Sequence, residues 1–298
     1  MVIYSINDLE KLSGVKAHTI RIWEKRYGVI TPKRTKTNIR FYQDSDLQLL
    51  LNVAFLNKKG LKISKIACLS TSEIKARVAE LTDVHEKFED QLDALTLAMF
   101  EFDEYNFNKI LNHNIKQKGF RATMLEVIYP LLDKISVMWI AGSIKNVHES
   151  FITQIVKRKI LLAIENLNLD KCLDKKKYLI YLPEKENHEL SLLFLEFVLK
   201  EHGLHVLNIG MNIKPDDIFE ATQSFKPDYI FTIINESYAG AELQNYIDKL
   251  LSANKNSHLL ITGFQVSQQR HQNTFRCTYF NSLTEVMDFV KEKQYANS

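Results

Sequence analysis

Apolar residues follow three successive patterns along the chain. Up to about residue 70, short helical stripes are broken by turn residues. Ser5 can cap a helix carrying Ile6, Leu9 and Leu12, Ser13-Gly14 supplies a turn, and Ala17 to about Arg26 forms a second helix. Ile20 and Trp23 would face inward there, leaving His18, Thr19, Arg21 and Lys25 outward. Pro32-Lys33-Arg34, a polar turn at 35–38 and Ile39-Arg40-Phe41-Tyr42 suit a small β-wing whose Arg and Tyr reach phosphates. Asp44 then caps a helix that buries Leu47, Leu50, Leu51, Ala54 and Phe55. Two short helices around a Gly-containing turn describe a helix-turn-helix, with the second helix suited to a major groove.

Residues 71–168 hold two glycines (Gly119, Gly142) and one proline, and read as helix throughout. One stripe runs through Leu92, Leu95, Met99 and Phe102, and the next through Phe107, Ile110, Leu111 and Ile115. A third follows at Leu125, Ile128, Leu132, Ile135 and Trp139, and a fourth at Ile152, Ile155, Val156, Ile160, Ala163 and Leu167. Four stripes predict a four-helix bundle, with Pro130 kinking or breaking the third helix. Trp139 ends that helix, Gly142 breaks the chain, and His148-Glu149 open the next.

From Lys177 the period changes. Strands are expected at Tyr178–Leu182, His205–Ile209, Tyr229–Ile234, Leu259–Thr262 and near Cys277–Phe280, with helices at Glu189–Glu201, Pro215–Ser224, Ala239–Leu251 and Leu283–Glu292. This alternation predicts an α/β, flavodoxin-like (Rossmann-like) five-stranded parallel sheet. Ligands of such sheets lie beyond the carboxyl ends of the strands, at the loops 183–191, 210–214, 233–238 and 263–268. The first loop places Glu186 and His188 ahead of an apolar helix, with Ser191 one turn on. An imidazole there suits a metal when a carboxylate orients its other nitrogen. A His and Glu on a solvated first turn is the alternative local reading.

Charge sharpens the division. The net charge is +3, but residues 1–70 carry 13 Lys/Arg against 5 Asp/Glu, and the remainder 26 against 31. A basic head on an acidic body points to a polyanionic partner for the head alone. The expected domains are 1–75, 76–172 and 173–298. The N-terminus lacks the apolar core of a secretory signal, and no run of ~18 uncharged apolar residues exists, so a cytoplasmic protein that does not enter a membrane is expected. Cys68, Cys172 and Cys277 lie far apart without metal-like spacing and are expected as free buried thiols.

The ordered combination TIRIWEKRYG, PKRT and NIRFY resembles the MerR family of winged-helix transcription regulators across residues 2–70, in the version carried by members with cobalamin-binding domains. The resemblance implies a recognition helix from Ala17, preceded by Lys16, with His18, Thr19, Arg21 and Lys25 near double-stranded operator DNA. It implies phosphate contacts from Arg34, Lys36, Arg40 and Tyr42, and dimers on near-palindromic sites.

The C-terminal pattern Glu186-x-His188-x-x-Ser191, then Thr232-x-Ile234, then Gly263-Phe264 is similar to that of cobalamin-binding Rossmann-like domains, including those of light-sensing MerR regulators. That resemblance implies His188 as the ligand of cobalt from below, Glu186 as its hydrogen-bond partner and Thr232 as a support for the cofactor's nucleotide tail. In the bundle, Trp139, nine residues, then Glu149 is similar to the family's upper adenosyl-packing pair, while Ser150 replaces a histidine. Ser191 and Phe264 replace glycines of the family pattern and add bulk.

The resulting expectation is a cobalamin-responsive, homo-oligomeric MerR-type regulator, with adenosylcobalamin as the cofactor and assembly altered by light or ligand loss. A regulator whose cobalamin-like domain is cofactor-free and serves protein interaction is the alternative. A methyltransferase or mutase would need a separate substrate module, for which no stretch has the length, so an enzyme is not expected.

Overall fold

A computed structural model describes residues 4–34, 38, 40–82, 88–140, 144–167, 176–236, 241–268 and 273–295. It divides into two compact units, residues 1–155 and 156–298.

The first unit opens with α1 (Ile6–Ser13) and α2 (Ala17–Tyr27). The Ser5 hydroxyl accepts the Asp8 amide at 3.3 Å and the Asp8 carboxylate accepts the Ser5 amide at 2.8 Å, a reciprocal cap. Gly14 (φ +70°) and Gly28 (φ +63°) end the two helices in left-handed conformations that glycine adopts without steric penalty. The wing is two short antiparallel strands, β1 (Lys33–Arg34) and β2 (Arg40–Phe41), and α3 (Asp44–Lys58), α4 (Ile63–Ile66) and α5 (Thr71–Thr82) follow. Leu9, Ile20, Trp23, Leu47, Leu50 and Leu56 make the core of this head. The α3 cap lies one residue ahead of expectation: Gln43 holds the N-cap position, and its amide bonds to the Asp46 carboxylate at 2.8 Å.

The helical middle is α6 (Phe88–Glu101), α7 (Glu104–Lys118), α8 (Phe120–Thr123), α9 (Tyr129–Ile140) and α10 (Asn146–Glu165), and the boundary between the units falls within α10. Pro130 does not break its helix. A π-turn over Met124–Ile128 precedes it, with the Tyr129 amide bonding to the Met124 carbonyl five residues back, so the ladder is already rearranged where proline removes a donor. The buried stripe of this helix is Met124, Val127, Ile128, Leu131, Ile135 and Met138, centred one position ahead of the expected one. Phe102 and Trp139, the last residues of two expected stripes, are exposed, because each lies where its helix ends.

The second unit carries five parallel strands in the order β4-β3-β5-β6-β7: β3 (Lys177–Tyr181), β4 (His205–Asn208), β5 (Tyr229–Ile233), β6 (His258–Thr262) and β7 (Cys277–Phe280). Helices α11 (Glu189–Glu201), α12 (Pro215–Phe225), α13 (Ala241–Ala253) and α15 (Leu283–Tyr295) alternate with them, and a short α14 (Phe264–Gln268), unexpected from the sequence, follows β6. Each face of the sheet has its own core. Leu179, Tyr181, Ile230, Ile234 and Ile261 pack on one side, with Tyr178, Ile180, Phe231, Ile233 and Leu260 on the other. The strand order reverses between β3 and β5, the position where doubly wound sheets open a crevice. Among the described residues no helix is long and apolar enough to cross a membrane. Cys277 is buried as expected, Cys68 is exposed near the end of α4, and Cys172 lies outside the described residues.

Candidate functional site

In the first unit, the residues expected near DNA form an exposed basic face. His18, Arg21 and Lys25 on α2 are exposed, as are Arg34 and Arg40 on the wing, while Thr19 is half-buried. Arg34 donates to the Asn38 side chain at 2.8 Å. Lys36 lies outside the described residues. The N-terminus of α2 is satisfied from within the protein. Glu10 on α1 accepts the Ala17 amide at 2.9 Å and pairs with Lys16 at 3.1 Å, and these contacts hold its carboxyl below the usual range. Nothing at residues 8–12 singled Glu10 out, because its partners are backbone and lysine on a different helix.

Tyr42 departs from expectation. Its side chain is 0% exposed and its hydroxyl donates to Glu24 of α2, while its backbone pairs with Tyr4. Burial, followed by the neighbouring Glu24 carboxylate, keeps the phenol protonated far above neutral pH. Tyr42 is therefore part of the link between the wing and α2, and has no surface to offer a phosphate.

The bundle residues of the first unit are placed as follows. Trp139 is 53% exposed, with its indole N–H 3.4 Å from the Asn146 side-chain oxygen, and Glu149 and Ser150 are exposed. His148 is buried. Its Nδ1 accepts the Lys145 amide at 3.1 Å, and its ring stacks on Phe102 with centroids 5.0 Å apart. His148 therefore does not substitute for the imidazole that Ser150 lacks.

In the second unit, the loops after β3, β5 and β6 converge at the switch point. Glu186 is 2% exposed, and its Oε1 accepts the amides of Asn235 and Glu236, both at 2.9 Å. Its Oε2 lies 3.5 Å from His188 Nδ1, both atoms buried and at a distance longer than a closed hydrogen bond, whereas the His188 side chain as a whole is 39% exposed. The imidazole thus turns one nitrogen toward an anchored carboxylate and leaves Nε2 on the opposite edge of the ring. Glu186 raises the His188 pKa above its ordinary value, against the opposing effect of burial and with help from Glu236. Ser191 lies in the first turn of α11, its amide donating to the His188 carbonyl at 3.0 Å. Beside it, Glu189 pairs with Lys157 at 2.7 Å.

Gly263 takes φ +123°, and a Cβ there would fall 2.3 Å from the Ile234 carbonyl oxygen. This explains a glycine after β6 by close approach of two backbones. Phe264 is 58% exposed, so its ring is directed outward while its amide donates to the Asn235 side chain at 2.8 Å. Thr232 and Ile234 are both fully buried. The Thr232 hydroxyl donates to the Tyr181 carbonyl at 3.1 Å and the Ile234 side chain lies in the apolar core, so neither side chain is presented at the loops. Asn235 and Glu236 were invisible to motif reading, since it is their backbone amides that matter. Among the described residues no group of three or more His, Cys, Asp or Glu converges as a metal cage, which leaves His188 as a single candidate ligand. An imidazole beside a buried, anchored carboxylate would suit a metal group that needs a single protein ligand, with His188 as the residue to hold it.

Residues 4–72 match the MerR HTH family of regulatory proteins, and residues 91–162, which span α6 to α10, match a B12-binding domain. The chain is 26% identical over 256 residues to the HTH-type transcriptional repressor CarH of Myxococcus xanthus, covering 84% of this chain and 85% of the relative. It is 22% identical over 250 residues to the repressor CarA of the same organism, covering 83% and 82%. A monomethylamine corrinoid protein of Methanosarcina barkeri shares the fold at a TM-score of 0.50 and 10% identity, over 69% of this chain and 99% of that one. The chain joins a MerR-family helix-turn-helix domain to a B12-binding domain, the make-up of a MerR-type transcriptional regulator.

Proposed function

We propose that the chain reads operator DNA through α2 and its wing and senses cobalamin through the His188 loop, with ligand state controlling self-assembly on DNA. The observation that carries the sensing half is the buried Glu186 carboxylate, anchored by two amides and directed at His188 Nδ1. His188 would hold cobalt through Nε2, with Glu186 fixing the ring's orientation and tautomer. Trp139 and Glu149, which the resemblance assigns to ligand contact, are both exposed on the bundle. When bound, cobalamin supplies a cobalt centre whose upper ligand light can remove. The basic face formed by Arg21, Lys25, Arg34 and Arg40 would contribute the salt-sensitive phosphate contacts.

Control of DNA binding requires the ligand to favour one assembly state over another. The test incubates the full chain with adenosylcobalamin in the dark, desalts it, and compares absorbance and size-exclusion profiles before and after illumination. Retained corrin absorbance that disappears in His188→Ala supports the reading, and no retained absorbance sinks it.

One observation favours the cofactor-free alternative: Thr232 and Ile234 are wholly committed to the sheet and its core, leaving neither to support a nucleotide tail. Under that reading His188→Ala leaves operator binding and assembly unchanged in light, in the dark and with cobalamin added.

A further inference from the structure

We propose that Asn235 is the positioning residue of the His188 site. The inference rests on the reading of His188 as the lower cobalt ligand. Asn235 belongs to none of the motifs in the sequence, yet three of its groups tie strand-end loops together. Its amide donates to Glu186 Oε1 at 2.9 Å, its side-chain oxygen accepts the Phe264 amide at 2.8 Å, and its carbonyl accepts the Gln265 side chain at 3.2 Å. One residue earlier, Ile234 is pinned to the β6 loop by its own amide on the Thr262 carbonyl at 2.8 Å and by the close approach of Gly263.

The consequence is a chain of constraint running from β6 to the imidazole. The Phe264 amide holds the Asn235 side chain, and that bond fixes the peptide whose amide, with that of Glu236, holds Glu186 Oε1. With Oε1 so occupied, Oε2 is presented to His188 Nδ1. A carboxylate at Nδ1 selects the neutral tautomer with its proton on Nδ1 and its lone pair on Nε2, the form a metal requires. Asn235 acts through Glu186.

The test reads the tautomer directly, with no cofactor present. Nitrogen-15 chemical shifts of His188 are recorded on the full chain, labelled at histidine, at alkaline pH where the ring is neutral. The wild-type ring is expected mainly in the Nδ1–H form. Asn235→Ala should shift it to mainly Nε2–H, and Asn235→Asp, which keeps the acceptor for Phe264, should restore the wild-type pattern. Phe264→Pro removes the same hydrogen bond from its donor side, at a first helical position where proline is tolerated. It gives the same readout should Asn235→Ala fail to fold. In parallel, retention of aquocobalamin after desalting should weaken about tenfold in Asn235→Ala. An unchanged tautomer in both the Ala and Pro variants overturns the proposal. If wild-type protein retains no corrin, the sensing function falls, while the tautomer comparison still decides the role of Asn235.

Discussion

The Asp93 carboxylate of α6 lies 2.8 Å from the ammonium of Lys58 at the end of α3, and its second oxygen lies 3.0 Å from Lys134 of α9. The same seam is continued by Gln48 donating to the Phe100 carbonyl at 2.9 Å, Asn52 donating to Glu101 at 3.2 Å and Lys75 pairing with Glu101 at 3.1 Å. Helices α3 and α5 of the head are thus tied to the bundle by polar contacts as well as by the buried apolar residues of α3 and α6. Ion pairs of this kind, part-exposed to solvent, are weak individually and screened by salt.

Because the Asp93–Lys58 pair is more than a third exposed, Asp93→Asn is expected to lower stability by only about 0.5–1 kcal/mol. Burial acts to raise the Asp93 pKa, but Lys134 and Lys58 together prevail and the net shift is downward. A group with a depressed folded pKa contributes stability above its unfolded pKa and loses it as pH falls through the folded value. The difference between wild type and variant should therefore be present at neutral pH, shrink below the normal carboxylate range, and vanish at about 1 M salt. Urea denaturation across pH and salt measures it, and a difference that persists in high salt would contradict an ionic seam.

Gly263→Ala is expected to be severe. The added methyl would overlap the Ile234 carbonyl oxygen, a backbone atom held in the sheet, at a φ that L-residues rarely adopt. A loss of about 3 kcal/mol or more follows. Thermal unfolding of the full chain reads it, and a variant within 1 kcal/mol of wild type by this measure would show that the β5 and β6 loops separate easily.

Glu186 carries stability as well as orientation. Glu186→Ala leaves the Asn235 and Glu236 amides without the acceptor they share, at a cost of about 2–4 kcal/mol. Glu186→Gln retains an oxygen for those amides and should lose about 1 kcal/mol, while presenting His188 Nδ1 with a donor in place of a carboxylate. Equal stability of the Ala and Gln variants in chemical denaturation would refute the anchoring role.

Tyr42 and Arg40 lie two residues apart at the wing but are separable. Tyr42→Phe removes the hydroxyl bound to Glu24 and should cost about 1.5–3 kcal/mol of stability, with the salt dependence of DNA binding unchanged. Arg40→Ala, at an exposed position, should leave stability nearly intact and reduce the salt slope of DNA binding by about one. Filter-binding titrations at several salt concentrations distinguish the two, and a reduced slope in Tyr42→Phe would return that residue to the phosphate contacts.

Much of this molecule is local and therefore legible in sequence. Period and turn residues place α1, α2, α11 and the five parallel strands to within a residue or two, because burying one face of a helix or a whole strand imposes its spacing on the chain. Charge separates a basic reading head from an acidic remainder, and the Glu186-x-His188 spacing brings the carboxylate and imidazole to one loop. What the sequence leaves open depends on backbone groups and on partners in other elements. Glu10 capping α2, Tyr42 turned onto Glu24, the π-turn ahead of Pro130 and Asn235 binding Phe264 involve backbone groups or contacts that carry no residue signature. Tertiary structure decides these, since a buried donor or acceptor must find a partner wherever the fold delivers one, and the fold delivers Glu186 to the amides of Asn235 and Glu236.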